Sequence, residues 1–195
     1  DIDPVMVFTV IGIILAAVFV AMVISILLSI FIWNPLEVGC QKFFINCKYG
    51  NAELGDIAYG FKNGYAHIGM IMFLRGLFTG LWMLLFIIPG IVKSYEYMMI
   101  PYLLAEHPEM TRQEAFAESK QMMDGQKGDA FVLDLSFIGW EFLSFITFGI
   151  VQIFYVGPYI NVTWAEFYKV MRENALETGN ATREELIGLR KEADI

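Results

Sequence analysis

The stretch 81–102 reads Leu-Trp-Met-Leu-Leu-Phe-Ile-Ile-Pro-Gly-Ile-Val-Lys-Ser-Tyr-Glu-Tyr-Met-Met-Ile-Pro-Tyr, and the other segments can be placed around it. It belongs to a long apolar run that is interrupted at Pro89-Gly90. Because proline and glycine both disfavour a continuous helix, the pattern predicts two helices, 65–88 and 91–106, joined as a transmembrane hairpin. The second helix is short for a full crossing and contains charged residues.

The composition is typical of a membrane protein. Apolar residues make up 57% of the 195 residues and charged residues 17%, against about 25% in soluble domains. The run from Val5 to Trp33 contains no charged residue, and at about 1.5 Å per residue it exceeds the roughly 30 Å hydrocarbon core. It predicts a first membrane helix, 5–33, which Asn34-Pro35 is expected to end. A signal peptide is not favoured, because the run is too long and has no basic start.

A second apolar region, from residue 130, resembles a degenerate copy of the first hairpin. The aligned segments are 87–92 with 146–151, and Pro101-Tyr102 with Pro158-Tyr159. The copy predicts helices 130–147 and 150–172, with a bend at Thr147-Phe148-Gly149. Chance similarity within so apolar a chain is the alternative explanation.

The polar segment between the hairpins is expected on the cytosolic side. Thr111 and Glu114 have the spacing of a capping box, which predicts an amphipathic helix over 111–124. One face carries Ala115, Phe116, Ser119, Met122 and Met123. Elsewhere on the helix lie Arg112, Glu118, Lys120 and Gln121. The helix is expected to lie on the membrane surface or under the bundle.

Together these segments predict an all-α fold, a polytopic helical membrane bundle over residues 1–176 with a polar cytosolic tail at 177–195. If the N-terminus is outside, every Lys and Arg except Arg75 and Lys93 falls on the inner side. The positive-inside rule then predicts a multi-pass membrane protein with a cytoplasmic C-terminus. The net charge of −8 disfavours nucleic acid as a partner.

Charged residues within the predicted membrane helices are the candidate polar or ligand-binding site. They are Arg75, Lys93, Glu96, Asp134 and Glu141. A charge in hydrocarbon is costly, so such a residue usually faces the bundle interior or a partner. We expect Arg75 to pair with Asp134 or Glu141, and Lys93 to pair with Glu96. The residues are ion pairs that hold the bundle together, side chains that extend to the membrane surface, or the lining of a polar pathway or binding cavity.

The sequence predicts no catalytic, cofactor or metal site. It contains no Walker motif, nucleophile elbow or His-Glu-x-x-His motif. Cys40 and Cys47 have neither zinc-site nor disulfide-framework spacing and are expected to be reduced thiols. We therefore expect a non-enzymatic protein.

An ordered set of motifs resembles a known bacterial membrane family. The motifs are residues 81–97, 101–108 and 114–125, together with Asn34-Pro35-Leu36, residues 133–140, Pro158-Tyr159 and residues 165–168. They resemble the family of domain of unknown function 975 over most of the chain. The resemblance implies further helices before the start of this sequence and a distant similarity to the membrane domain of some bacterial glycerophosphodiester phosphodiesterases. It also implies a location in the bacterial plasma membrane, and it implies no activity.

The leading functional hypothesis is a transport- or export-associated membrane component, with the charged candidates along its path. The alternatives are a structural or regulatory partner subunit that docks through the helix at 111–124, and a lipid-handling membrane module. Expected partners are membrane lipids and either another protein of a membrane complex or further copies of the chain. A water-filled cavity around the charges would favour transport. A groove open to lipid with Arg75 or Lys93 at its mouth would favour lipid handling.

Overall fold

The described part of the chain consists of helices and turns, as the all-α prediction requires. A computed structural model describes residues 4–47 and 50–177, so the predicted tail at 177–195 lies outside the described residues except for Glu177. The α-helices are α1 (Pro4–Leu28), α2 (Asn34–Cys47), α3 (Tyr59–Lys62), α4 (Tyr65–Leu85), α5 (Ile87–Glu96), α6 (Ile100–Glu106), α7 (Arg112–Met122), α8 (Lys127–Ile146) and α9 (Gly157–Glu177). Wider π-helical turns occupy Ser29–Trp33 and Gln152–Val156, and a 3-10 turn occupies Leu54–Ala58.

The first helix does not end at Asn34-Pro35, so that prediction is wrong. Helical backbone continues through the π-helical turn at Ser29–Trp33 into α2. In an α-helix the missing N–H of Pro35 would leave Phe31 O without a donor. The Tyr65 hydroxyl donates to Phe31 O at 2.6 Å and replaces the lost bond. The wider turn and this tertiary hydrogen bond let the helix pass the proline.

The first hairpin reverses at Phe86, before the predicted break at Pro89-Gly90. Phe86 has an extended backbone (φ −152°) between α4 and α5. Pro89 lies in the first turn of α5, where a missing N–H needs no intrahelical partner. Gly90 packs against α4, since a Cβ there would lie 2.6 Å from Met83 Cα. The hairpin exists, but its glycine permits close helix packing and does not form the bend.

The helix predicted over 91–106 is divided in two. Residues 97–99 form a turn between α5 and α6, and Tyr97 N donates to Lys93 O at 3.1 Å. Pro101 lies at the start of α6, so it begins a new helix. The 10 residues of α5 extend about 15 Å, half of a hydrocarbon core. The single continuous helix predicted here is wrong.

The second hairpin bends where predicted, at Thr147-Phe148-Gly149. Phe148 and Gly149 have positive φ values of 51° and 81°. Gly149 N donates to Ser144 O at 2.8 Å, which closes the end of α8. Glycine adopts this left-handed backbone without steric cost. Helical backbone resumes at Ile150 and continues through the second π-helical turn into α9.

The two hairpins differ in conformation, in contrast to the predicted repeat. Gly90, which the sequence alignment matches with Gly149, lies inside α5 and not in a bend. The first reversal uses extended backbone at Phe86, whereas the second uses left-handed backbone. The similar hexamers are therefore not structural equivalents.

The predicted amphipathic helix is present as α7. Thr111 Oγ1 accepts from Glu114 N at 3.3 Å, and Glu114 Oε2 accepts from Thr111 N at 2.8 Å, which completes the predicted capping box. The predicted face is buried at Ala115, Ser119, Met122 and Met123. Glu118, which the sequence pattern places outside that face, is also buried.

The buried core is built from α2, the start of α4, α6, α7, part of α8 and α9. Helix α1 lies outside this core, and its side chains are exposed on every face from Val5 to Leu28. Two helices of the described chain are long and apolar enough to cross a membrane, Val5–Cys47 and Tyr65–Leu85. Apolar surface therefore extends well beyond the packed core.

Candidate ligand-binding groove

Arg75 connects α4 to two other parts of the fold and does not pair with Asp134 or Glu141, so its predicted pairing is wrong. Arg75 Nη1 lies 2.8 Å from Glu37 Oε1 on α2. Arg75 Nε donates to Tyr97 O at 3.1 Å, at the turn between α5 and α6. A guanidinium can make both contacts because its donors form a rigid planar fork. The contacts identify Arg75 as a residue that holds the bundle together.

Lys93 and Glu96 pair as predicted. Lys93 Nζ lies 2.7 Å from Glu96 Oε1, and Lys127 Nζ at the start of α8 lies 3.3 Å from Glu96 Oε2. Glu96 is 4% exposed, and a buried carboxylate is stable only with such partners. The Ser119 hydroxyl donates to Glu96 O at 2.7 Å and fixes α7 at the same point.

Asp134 and Glu141 lie apart from these ion pairs. Asp134 Oδ2 accepts from the Tyr95 hydroxyl at 2.5 Å. Glu141 is exposed and has no hydrogen-bond or ion-pair partner within the described residues. The other four candidates all belong to or contact residues 93–97, but they do so through separate partners.

Glu37, which pairs with Arg75, also lines a groove. One wall of the groove is α2, and the other wall is the second π-helical turn together with the start of α9. The groove has a volume of about 630 Å³, within the range of about 300–1,000 Å³ that holds small molecules. We call it the α2–α9 groove. Its lining consists of Trp33, Leu36, Glu37, Cys40, Gln41, Phe44, Gln152, Ile153, Gly157, Pro158 and Asn161.

Gln41 is the buried polar group of this groove. Gln41 is 9% exposed, and its side-chain oxygen Oε1 has no hydrogen-bond partner. A buried polar group without a partner costs about 1–3 kcal/mol, and a ligand donor would remove that cost. Rotating the Gln41 side-chain amide by 180° exchanges Oε1 with Nε2, so the hydrogen-bond acceptor can occupy either of the two positions. The neighbouring Glu37 side chain is 40% exposed.

The opposite wall contributes two more amides. Gln152 Oε1 accepts from the Ser144 hydroxyl at 2.8 Å, and Asn161 Nδ2 donates to Gly157 O at 2.8 Å. These bonds leave the Asn161 carbonyl oxygen as an acceptor and the Gln152 amide nitrogen as a donor. The two amides are thus held in place while keeping hydrogen-bonding capacity.

Both π-helical turns in the described chain border the groove. Trp33 is the last residue of the first turn, and Gln152 with Ile153 begins the second. A π-helical turn inserts one extra residue into an α-helix and is frequent at functional sites. The groove is therefore shaped by irregular helix segments on both walls.

The groove has the chemistry of a binding site for an amphipathic molecule. Carboxylate and amide oxygens from Glu37, Gln41 and Asn161 accept hydrogen bonds, and the apolar walls accommodate hydrocarbon. The described residues contain no group of three His, Cys, Asp or Glu side chains that could hold a metal ion. The lining therefore matches a molecule whose polar head donates hydrogen bonds.

A separate, partly buried ion pair joins α6 to α9. Arg172 Nη1 lies 2.6 Å from Glu106 Oε2, which also accepts from the Tyr168 hydroxyl at 2.7 Å. Burial, together with the Glu109 and Glu106 carboxylates, raises the pKa of the nearby Tyr59. These polar contacts hold this part of the core together.

Comparison with known proteins assigns the family. The family model DUF975, described as a protein of unknown function, matches residues 14–175. The chain belongs to the DUF975 family. No curated protein and no solved structure matches it. The DUF975 match includes both walls of the α2–α9 groove, whereas similarity to the phosphodiesterase-attached membrane domain stays a prediction.

Sequence reasoning missed the groove of this DUF975 protein because its polar residues are uncharged or lie outside the predicted membrane helices. Gln41 and Glu37 follow the predicted end of the first helix, and Gln152 and Asn161 carry no charge. One signal was present in the sequence. Pro35 and Pro158 each lie two residues after a π-helical turn, so a proline in an otherwise helical run indicated both irregular segments.

Proposed function

We propose that this DUF975 protein is a non-enzymatic, multi-pass protein of the bacterial plasma membrane that binds a lipid-type molecule in the α2–α9 groove. The C-terminus is cytoplasmic in this proposal, and the role is lipid handling. The observation that carries the proposal is an apolar groove of ligand size lined by Gln41, whose buried amide oxygen has no hydrogen-bond partner.

The exposed surface supports the membrane part of the proposal. Phe8 and Leu15 of α1 are 74% and 64% exposed, and Phe148 at the second bend is 96% exposed. Apolar surface left in water costs about 25 cal/mol per Å², whereas a hydrocarbon core removes this cost. The distribution of Lys and Arg supports an inner location for α7.

The groove supports a ligand with a donor head and an apolar body. Trp33, Leu36 and Phe44 offer apolar contact area, while Gln41 and Glu37 offer acceptors. Hydroxyl and ammonium heads provide such donors, as in a monoacylglycerol or phosphatidylethanolamine. A choline head provides none, so phosphatidylcholine is the matched comparison.

The contacts favour lipid handling over the other two roles considered. A charged transport path would bring the carboxylates of Asp134 and Glu141 together with Arg75, but Arg75 contacts neither. Docking through the apolar face of α7 would need Met123, which is fully buried. Transport or export of the bound molecule stays a prediction.

Binding to the delipidated full chain in mild detergent tests the proposal. Native mass spectrometry would measure occupancy by monoolein, dioleoyl phosphatidylethanolamine and dioleoyl phosphatidylcholine. We expect the two donor-bearing lipids to bind more tightly than phosphatidylcholine. Gln41→Leu should lower that preference about fivefold, since one hydrogen bond contributes about 1 kcal/mol.

Asn51→Leu is the matched control, because it also replaces a side-chain amide with leucine, at an exposed residue outside the groove. It should leave the lipid preference unchanged. Equal binding of all three lipids, or an unchanged preference in Gln41→Leu, would refute the proposed role of the groove.

A further inference from the structure

A second cavity lies between α4, the end of α5 and the start of α7, away from the α2–α9 groove. It has a volume of about 350 Å³. We call it the aromatic cleft; its lining residues are Phe78, Trp82, Tyr97, Arg112, Gln113 and Phe116. Four of these six side chains are aromatic and one is cationic.

The aromatic walls are held by edge-to-face contacts. The Phe116 ring of α7 lies 4.9 Å from the Tyr97 ring and 5.7 Å from the Phe78 ring, both between centroids. Lys93 Nζ lies 5.8 Å from the Trp82 centroid and 5.6 Å from the Tyr97 centroid, so a second cation borders the cleft. Trp and Tyr with basic residues are characteristic of the interface between hydrocarbon and headgroups.

The charges around the cleft favour an anion. Arg112 is exposed and has no ion-pair partner among the described residues. Lys93 shares the single carboxylate of Glu96 with Lys127, so two cations face one anion there. The nearest acid on α7, Glu114, is directed to the backbone N–H of Thr111 in the capping box.

We propose that the aromatic cleft binds the headgroup of an anionic phospholipid. Arg112 contacts the phosphate and Lys93 lies beside it, while Trp82 and Phe116 contact the glycerol and upper acyl chains. Arginine suits this role because its planar donors match phosphate oxygens. The lipid fixes α7 at the membrane surface. This inference rests on the proposed membrane location but not on ligand binding in the α2–α9 groove.

Photo-crosslinking to the full chain in nanodiscs tests the inference. The discs would contain dioleoyl phosphatidylcholine and a minor fraction of either phosphatidylglycerol or phosphatidylcholine with a photoreactive group near the glycerol. We expect phosphatidylglycerol to crosslink preferentially to Phe78, Trp82 and Phe116. Arg112→Gln should reduce that preference about fivefold, because one basic residue near an anionic surface contributes about 1 kcal/mol.

Lys120→Gln removes the same charge from the exposed side of α7, outside the cleft, and should leave the crosslinking pattern unchanged. Helix content and elution volume of Arg112→Gln should match the wild type, which separates lost binding from lost folding. Equal crosslinking by both lipids, equal effects of the two variants, or absence of crosslinks in the cleft would overturn the inference. In separate discs that contain photoreactive phosphatidylethanolamine, crosslinks near Trp33 and Ile153 report on the α2–α9 groove.

Discussion

Pro35 and Pro101 each remove a backbone donor from a helical segment, and in both places a side chain of α4 donates to the carbonyl four residues earlier. The Tyr65 hydroxyl donates to Phe31 O at 2.6 Å. Arg75 Nε donates to Tyr97 O at 3.1 Å, beside a longer bond of 3.4 Å from Ile100 N. Local sequence correctly marks both prolines as disruptive, but it cannot show that a distant side chain compensates. This explains why the predicted end of the first helix was wrong.

Tyr65→Phe tests the first of these compensating bonds. The ring contacts of Tyr65 with Phe31 and Phe61 would remain, and the hydroxyl bond to Phe31 O would be lost. We expect the free energy of unfolding in mild detergent to fall by about 1 kcal/mol. Tyr155→Phe removes the hydroxyl of an exposed tyrosine and should change it little. Equal effects of the two changes would contradict this role of Tyr65.

Arg75→Lys tests whether two contacts are needed at once. A lysine carries its donors on a single nitrogen and can replace the pair with Glu37 but not also the bond to Tyr97 O. We expect a loss of about 1–2 kcal/mol in the free energy of unfolding. Full stability in the lysine variant would show that the bond to Tyr97 O contributes nothing.

Gln41→Leu tests whether the buried amide of the groove lowers the stability of the ligand-free protein. Removing the buried, unpartnered amide should raise the free energy of unfolding of the ligand-free protein by about 1 kcal/mol. The same change should reduce binding of donor-bearing lipids. Thermal unfolding of delipidated protein measures the first effect. Destabilisation without ligand would show that the amide already has a structural partner.

At the scale of elements, the type and approximate position of the helices could be predicted, whereas the mechanism of each bend could not. Left-handed backbone at Gly149 agrees with the local preference of glycine. Pro89-Gly90 carries an equally strong local signal, yet the chain reverses at Phe86 because Gly90 is needed for close packing against Met83. Tertiary packing decides whether a glycine forms a bend, as Gly149 does, or permits close helix packing, as Gly90 does. A short stretch of sequence does not contain this information.

Three glycine-to-alanine changes test the two hairpins. At Gly90 a Cβ would lie 2.6 Å from Met83 Cα, so we expect the largest loss of stability there. Gly149→Ala places a Cβ at φ 81° and should cost about 1 kcal/mol. Gly139→Ala, in α8 with nothing within 4 Å of the added carbon, should be neutral or stabilising. Denaturant midpoints in detergent measure the order, and a Gly90→Ala variant as stable as Gly139→Ala would refute the packing argument.

At the scale of the whole molecule, short-range ion pairing could be predicted and long-range pairing could not. Lys93 and Glu96 are three residues apart, so helix geometry alone brings them together. Glu37 lies 38 residues before Arg75 and outside the predicted membrane helices, so the sequence pattern does not identify it as a partner. The α2–α9 groove could not be predicted for the same reason, since Gln41 and Asn161 line one cavity only in the folded chain.

Both binding proposals depend on how the chain lies in the membrane, and cysteine labelling in intact cells tests this most directly. Lys120 and Phe148 are exposed, whereas Ser119 is fully buried and unsuitable as a reporter. In a background with Cys40→Ser and Cys47→Ser, we expect a membrane-impermeant maleimide to modify Phe148→Cys in intact cells and Lys120→Cys only after lysis. Modification of Lys120→Cys from outside intact cells would contradict the proposed orientation and, with it, the placement of α7 at the inner leaflet.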